Sequence, residues 1–204
     1  MQIVRRGIIA VFASLLLIAA AISNAALAEV YVFDKGQTLL TFSWTHLGMS
    51  RQQGRVNGYE GSVVLDPAKP EAAVVDVALR VNSLQTGFDA LDRALRGADY
   101  FDAAVHPVIT FKSTVVKMTG EKTADLTGDL TVRGVTKPVT LAVSLTFIGD
   151  HPLSTATPTY AGKRAVAFSA RGNVLRSDFG MTRATPMVSD DIEIAIETEL
   201  ISQN

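Results

Sequence analysis

The stretch Val139–Phe147, VTLAVSLTF, decides the fold class because it alternates between two kinds of residue without a break. Its odd-numbered positions hold only Val, Leu and Phe, and its even-numbered positions hold only Thr, Ala and Ser. Successive side chains of a β-strand point to opposite faces of the sheet. This alternation therefore predicts a strand with one apolar face and one polar face.

The same alternation recurs along the chain at near-regular spacing. The predicted inward stripes are Leu40, Phe42, Trp44 and His46; Val75, Val77, Leu79 and Val81; Ile109, Phe111, Ser113 and Val115; Leu126, Leu130 and Val132; Val166, Phe168, Ala170 and Val174; and Ile192, Ile194 and Ile196. Less regular strands are predicted at 30–33 and 61–65, and turn residues separate the runs. Eight or nine short strands predict an all-β sandwich or an up-and-down barrel.

One segment departs from this pattern. Between residues 88 and 99, apolar residues fall at helical spacing, and Gly97 suits the end of a helix. A single short amphipathic helix among eight strands predicts a lid over one mouth of a barrel. The segment 149–163 is rich in Pro, Thr and Ala and predicts a long mobile loop, of the kind that often borders a binding site.

The first 28 residues have the order of a secretory signal peptide. Arg5 and Arg6 precede the uncharged apolar run Ile8–Ile22, and Ala26–Ala28 gives a small-x-small cleavage pattern. An uncleaved membrane anchor is the alternative, although the run is shorter than the ~20 residues of a spanning helix. Cleavage at this point leaves residues 29–204 as one domain, exported to the periplasm or secreted.

Charge and cysteine content narrow the function classes. The whole chain has a formal net charge of −1, and loss of residues 1–28 removes two arginines and no acidic residue, which leaves −3. That balance gives no sign of a nucleic-acid partner, which would require a basic patch. The sequence contains no cysteine, so disulfides, thiol catalysis and thiolate metal sites are excluded.

The interior of such a barrel is open to two interpretations, because eight strands are just wide enough to be filled by side chains or to hold one small ligand. A filled interior would make the protein a structural or interaction module. Gly128, Ala170 and Gly172 favour a hollow, because small inward residues leave room that a packed core would fill. Glycine also marks barrel bends, so periodicity alone leaves both interiors open. An apolar hollow would suit a long chain of methylene or isoprene units.

The polar residues show no catalytic or cofactor motif. His46, His106 and His151 lack metal-ligand spacing, and the sequence holds no Gly-x-Ser-x-Gly elbow, phosphate-binding loop or dinucleotide fingerprint. We therefore predict a binding protein without cofactor or metal. If the protein were an enzyme, His46, Arg176 and Asp178 would be its candidate catalytic residues.

Two polar features allow two interpretations each. His46, at the end of a predicted strand, is either a barrel-end histidine or a hydrogen-bond partner of a ligand head group. The segment Arg176–Met181 supplies either a structural Arg–Asp pair that closes one barrel end or polar contacts beside the apolar Phe179 and Met181.

Several blocks of sequence resemble the YceI-like family of polyisoprenoid-binding proteins. They are Phe42–Gly48 (FSWTHLG), Asp99–Asp102 (DYFD), Pro107–Ser113 (PVITFKS), Gly128–Leu141 (GDLTVRGVTKPVTL) and Arg176–Met181 (RSDFGM). They occur in order across nearly the whole of 29–204, which makes the resemblance specific. The chain departs from the family at Val105–Pro107, where other members often carry Lys-Tyr-Pro, and in its longer loop at 149–163.

The resemblance implies an eight-stranded antiparallel, lipocalin-like β-barrel with one short capping helix. It implies a ligand of the isoprenoid or quinone kind, or another long-chain lipid, held in an apolar interior for transport or storage. It also implies export to the periplasm, and a homodimer in some members. The alternative is a filled-barrel stress or interaction protein that assists a membrane redox partner.

The inward stripes and the resemblance together predict a set of ligand-binding residues. These are Phe42, Trp44, His46, Phe111, Leu130, Leu141, Val143, Phe168, Ala170, Gly172, Arg176, Phe179 and Met181. The most room is expected near Gly128, Ala170 and Gly172.

Overall fold

The computed structural model describes residues 28–203. Apart from Ala28, the predicted signal peptide lies outside the described residues, so it stays a prediction. Within the part of the chain that the structure describes, no helix is long and apolar enough to cross a membrane.

Residues 28–203 form ten β-strands and one α-helix. The strands are β1 (Glu29–His46), β2 (Ser50–Val56), β3 (Tyr59–Leu65), β4 (Val74–Arg80), β5 (Leu84–Gln85), β6 (Val108–Met118), β7 (Thr123–Val132), β8 (Val135–Asp150), β9 (Arg164–Leu175) and β10 (Asp191–Ser202). The helix α1 spans Asp89–Arg96, inside the predicted segment 88–99, and Gly97 caps its C-terminus as predicted. Short 3-10 helices occupy Pro70–Ala72, Val81–Ser83, Pro158–Tyr160 and Arg176–Phe179.

The sheet closes on itself because β1 pairs on one side with β10 and on the other with both β2 and β3. β2 and β3 are two pieces of one strand interrupted at Asn57 and Gly58, and β4 and β5 are likewise separated only by a 3-10 turn. The ring therefore has eight strand positions, all antiparallel and in chain order. This confirms the predicted eight-stranded barrel with one short helix.

The two ends of the barrel differ in what covers them. The helix end carries the β1–β2 turn (47–49), α1, the β7–β8 turn (133–134) and the segment 176–190. The terminal end carries both chain ends of the barrel and the links 66–73, 119–122 and 151–163. The predicted lid helix and the predicted long loop thus lie at opposite ends.

Two bulges reverse the inward and outward sides of their strands. A register shift in β6 just before Val115 leaves that side chain 57% exposed, and Val116 faces the interior instead. A shift in β8 between Leu145 and Phe147 turns Phe147 outward, and Ile148 takes the inward place. The predictions that Val115 and Phe147 face inward are therefore wrong, because a bulge inserts one residue and so inverts a period of two.

Buried apolar side chains form two separate clusters, one toward each end. Val81, Phe179 and Met181 belong to the cluster at the helix end. Tyr31 and Leu200 belong to the cluster at the terminal end, where both are fully buried. Burial, together with the hydrogen bond that the Tyr31 hydroxyl donates to Glu29, raises the pKa of Tyr31.

Inward glycines lie beneath larger side chains of neighbouring strands. A Cβ atom at Gly54 would come within 2.4 Å of Cζ of Phe42, and one at Gly128 within 2.4 Å of Cζ of Phe111. The rings therefore extend along the wall over glycines instead of projecting toward the barrel axis. The predicted room at Gly128 is thus occupied, because the neighbouring ring fills the place of the missing side chain.

We expect Gly54→Ala to destabilise the barrel by about 1–3 kcal/mol, because the added methyl group overlaps only the ring of Phe42. In a Phe42→Leu background the same substitution should cost clearly less. Urea unfolding followed by the fluorescence of Trp44, the one tryptophan of the chain, measures both costs.

Gly128→Ala, alone and in a Phe111→Leu background, is the matched control for these two measurements. A Cβ at Gly128 would also lie 2.6 Å from the backbone oxygen of Lys112, so Phe111→Leu should not relieve its cost. Equal costs of Gly54→Ala in both backgrounds would contradict the proposed seat of the Phe42 ring.

Candidate functional site

The barrel encloses a cavity of about 1250 Å³. Its lining includes His46 and Gln52 at the helix end and Glu121 and Lys122 at the terminal end, so the cavity runs along the barrel axis. Pockets for small molecules usually occupy roughly 300–1,000 Å³. The interior is thus hollow and larger than a compact ligand requires.

The wall between the two ends is almost entirely apolar. Side chains such as Val77, Leu126 and Ile194 line it from strands on different sides of the barrel. Thr198 is a polar member of the wall, and its hydroxyl hydrogen-bonds that of Thr38 at 2.7 Å. A ligand in this cavity would meet hydrocarbon over most of its length and polar side chains mainly near the two ends.

The cavity surface includes nearly all of the residues predicted from the sequence. Those that line it are Phe42, Trp44, His46, Phe111, Leu130, Leu141, Val143, Phe168, Ala170, Arg176, Phe179 and Met181. Gly172 does not line it, because Cδ2 of Leu141 lies 2.6 Å from the position that a Cβ would take. Whether these residues contact a ligand stays a prediction.

Aromatic rings gather in the cavity toward the helix end. Phe42 and Trp44 stack with ring centroids 5.7 Å apart, and Phe101 meets Phe42 edge to face at 6.3 Å. Trp44 is buried although its strand ends two residues later at the mouth. These rings give the cavity a flat, rigid apolar surface beneath α1.

Arg176 supports the helix end from within the wall. Its buried guanidinium donates to the backbone oxygens of Ser189 (2.9 Å), Met181 (2.6 Å) and Val188 (3.0 Å) and to the hydroxyl of Thr185 (2.8 Å). Four of its five N–H donors are thereby engaged. The geometry therefore favours a structural role, with loop oxygens in the place of the predicted aspartate.

The carboxylate beside this arginine is Asp190, which the sequence did not single out. It accepts hydrogen bonds from the backbone N–H and the hydroxyl of Ser177, at 2.8 and 2.6 Å. The hydroxyl bond lowers the pKa of Asp190, with a smaller contribution from Arg176. Asp178 is exposed and does not line the cavity, so the structure does not bring it together with His46.

Helix α1 is held over the cavity by a buried carboxylate. Asp92 accepts hydrogen bonds from the backbone N–H and the hydroxyl of Thr86, at 2.7 and 2.6 Å, and these bonds lower its pKa. Arg96 donates to the backbone oxygen of Leu84. The pairing of Asp92 with Thr86 depends on how the chain turns back on itself before the helix.

The loop 151–163 stands apart from the cavity, since none of its residues lines the wall. His151 is buried and stacks on Tyr160 at 3.8 Å, and the Tyr160 hydroxyl donates to Asp34 at 2.7 Å. The expectation that this loop borders the binding site is therefore wrong. Its ring contacts fasten it to the outer part of β1.

Comparison with known proteins gives consistent matches over the barrel. The sequence matches the YceI-like domain over residues 31–200. Protein YceI of Salmonella agona (strain SL483) is 37% identical over 194 residues, which cover 94% of this chain and 95% of that relative. The crystal structure of the Campylobacter jejuni YCEI protein superposes with a TM-score of 0.69 at 28% identity, over 78% of this chain and 90% of the other.

A polyisoprenoid binding domain from Saccharophagus degradans shares the fold, with a TM-score of 0.61 at 13% identity over 86% of this chain and 99% of that domain. The sequence match to the YceI-like domain begins within β1 and ends within β10, so it spans the closed ring. The chain belongs to the YceI-like family.

Proposed function

We propose that this protein holds one long-chain lipid of the isoprenoid type, such as a polyprenyl or quinone lipid, along the axis of its barrel. The observation that carries the proposal is the continuous apolar cavity of about 1250 Å³. Each CH₂ group moved from water into such a wall contributes roughly 0.8 kcal/mol, so several isoprene units supply ample affinity. The name of the Saccharophagus degradans domain, which shares this fold, supports the same ligand class.

The polar side chains at the two ends suit the head group of an amphiphile. At the helix end, His46 and Gln52 are exposed members of the lining. Since most donors of Arg176 are engaged by its own loop, we assign it the support of this mouth. We infer export to the periplasm from residues 1–28, which would place the protein where lipids pass between membranes.

The alternative of a filled barrel requires side chains across the axis, and the cavity leaves that space open. An interaction role for this chain, including one with a membrane redox partner, would therefore depend on its outer surface.

We expect protein purified without detergent from an exporting bacterial host to carry a lipid in one-to-one ratio. Native mass spectrometry measures the added mass, and extraction into organic solvent identifies the lipid. A protein of bare mass that also takes up neither an isoprenoid quinone nor a polyprenyl phosphate from detergent-free dispersion would contradict the proposal.

Ala170→Phe should abolish lipid retention while the barrel still folds. Ala170 lines the cavity on β9, opposite Val143 of β8 and Ile196 of β10, so a ring there takes up cavity volume. The matched control is Ala142→Phe, which places the same ring on the exposed face of β8. Loss of lipid in both variants, or in neither, would count against an axial ligand.

Asp92→Ala should speed lipid exchange and raise the hydrogen exchange of α1 about tenfold, because it removes two hydrogen bonds to a charged acceptor. The pKa of Asp92 is lowered by folding, so its stabilisation is complete above its ordinary pKa near 4 and is lost as pH falls through the lower folded value. The rate of lipid exchange of the unsubstituted protein should therefore be constant near neutral pH and rise only in acid. An Asp92→Ala variant with unchanged lipid exchange would contradict the idea that lipid enters and leaves past α1.

A further inference from the structure

Exposed apolar side chains lie at the cavity mouth at the helix end. Met49 is 75% exposed, Phe88 66%, Met187 58% and Leu47 46%. They come from three separate segments, namely the β1–β2 turn, the residue before α1 and the segment 176–190. We call these four residues the apolar rim.

The apolar rim is continuous with the cavity wall. The backbone N–H of Leu47 donates to the backbone oxygen of Met187 at 2.6 Å, which joins two of the three segments. His46 and Val188, the neighbours of these two residues, pair with each other, and both line the cavity. Phe88 lines the cavity itself. An apolar chain that leaves the mouth would therefore pass directly onto the rim.

Leu47 is held in its rim position by a strained backbone conformation. Its φ is +54°, in the left-handed region, and the next residue, Gly48, has φ +66°. Turn positions of this kind favour Gly, Asn or Asp, and bulky residues rarely adopt them. A polar residue at 47 would suit both the turn and the solvent. A leucine that is both strained and exposed points to a role outside the fold.

Exposed arginines lie on or next to the same three segments. Arg51 follows the β1–β2 turn, Arg93 lies on α1, and Arg183 lies in the segment 176–190. Glu193 pairs with Arg51 and Asp99 pairs with Arg183, so the charge around the mouth is mixed rather than strongly basic. Apolar tips beside charged side chains of both signs match the interface of a phospholipid bilayer, where charged head groups lie above acyl chains.

We propose that the apolar rim docks the helix end of the barrel onto a phospholipid bilayer, so that the cavity lipid passes between membrane and protein without crossing water. This inference rests on the proposed lipid-binding function. Separate apolar tips around an opening fit a fluid surface, into which each tip inserts independently. The alternative occupant of the rim is a protein partner. In that case the protein would not bind to vesicles that contain no protein.

The test is flotation of the purified protein, in the form that an exporting host yields, with phosphatidylcholine vesicles and with mixed phosphatidylcholine–phosphatidylglycerol vesicles. Leu47→Asn should weaken vesicle binding about tenfold, the change that corresponds to roughly half-burial of one leucine side chain. The same substitution should leave the urea midpoint unchanged or raise it, because Asn tolerates positive φ. If Leu47 had only a structural role, Leu47→Asn would lower both vesicle binding and the urea midpoint.

Leu153→Asn is the matched control, because Leu153 is also 46% exposed but lies in the loop at the terminal end. It should bind vesicles as the unsubstituted protein does. Equal losses in both variants, an unaffected Leu47→Asn, or no vesicle binding by the unsubstituted protein would each overturn the proposal.

Mass spectrometry of the same samples separates this inference from the proposed function. A Leu47→Asn protein that keeps its lipid but no longer floats would support docking and leave the lipid-binding proposal intact. Floating that depends on Leu47 in a protein that never carries lipid would support docking while the proposed function fails.

Discussion

The cavity depends on where the tips of the largest inward-facing side chains lie. The rings of Phe42 and Phe111 lie over Gly54 and Gly128 of the neighbouring strands, and Leu141 covers Gly172 in the same way. Side chains that lie along the wall leave the axis free, whereas the same side chains turned inward would fill a barrel of eight strands. The glycines thus create the hollow indirectly, since they seat large neighbours.

A hollow barrel must draw its stability from elsewhere. Here the two buried clusters lie toward the ends, and the ring of antiparallel pairs is complete because β1 joins β10. Within residues 28–203, closure leaves only the two-residue β5 with an unpaired side, which matters for a chain without cysteines. The packing therefore lies in the wall and toward the ends, and the barrel axis stays available for a ligand. Arg176 and Asp92 extend this division, because each fastens a segment over the helix end with its own hydrogen bonds.

Alternation of period two predicted the strands and their inward faces, and helical spacing predicted the short helix, because these features are local. Alternation failed at Val115 and Phe147, because one inserted residue inverts the inward and outward sides of the strand. No residue type at these sites predicts a bulge. The seat of Phe42 over Gly54 depends on cross-strand register, which spacing along the chain does not contain. The oxygen partners of Arg176 likewise exist only once the segment 176–190 has folded back on itself.

The most direct test of a lipid along the barrel axis is a crystal structure of the protein purified without detergent from an exporting host. We expect continuous electron density for one unbranched or isoprenoid chain along the axis, between the level of Trp44 and that of Lys122. A barrel whose axis is closed by its own inward side chains, with Phe42 and Phe111 turned away from their glycines, would contradict this expectation.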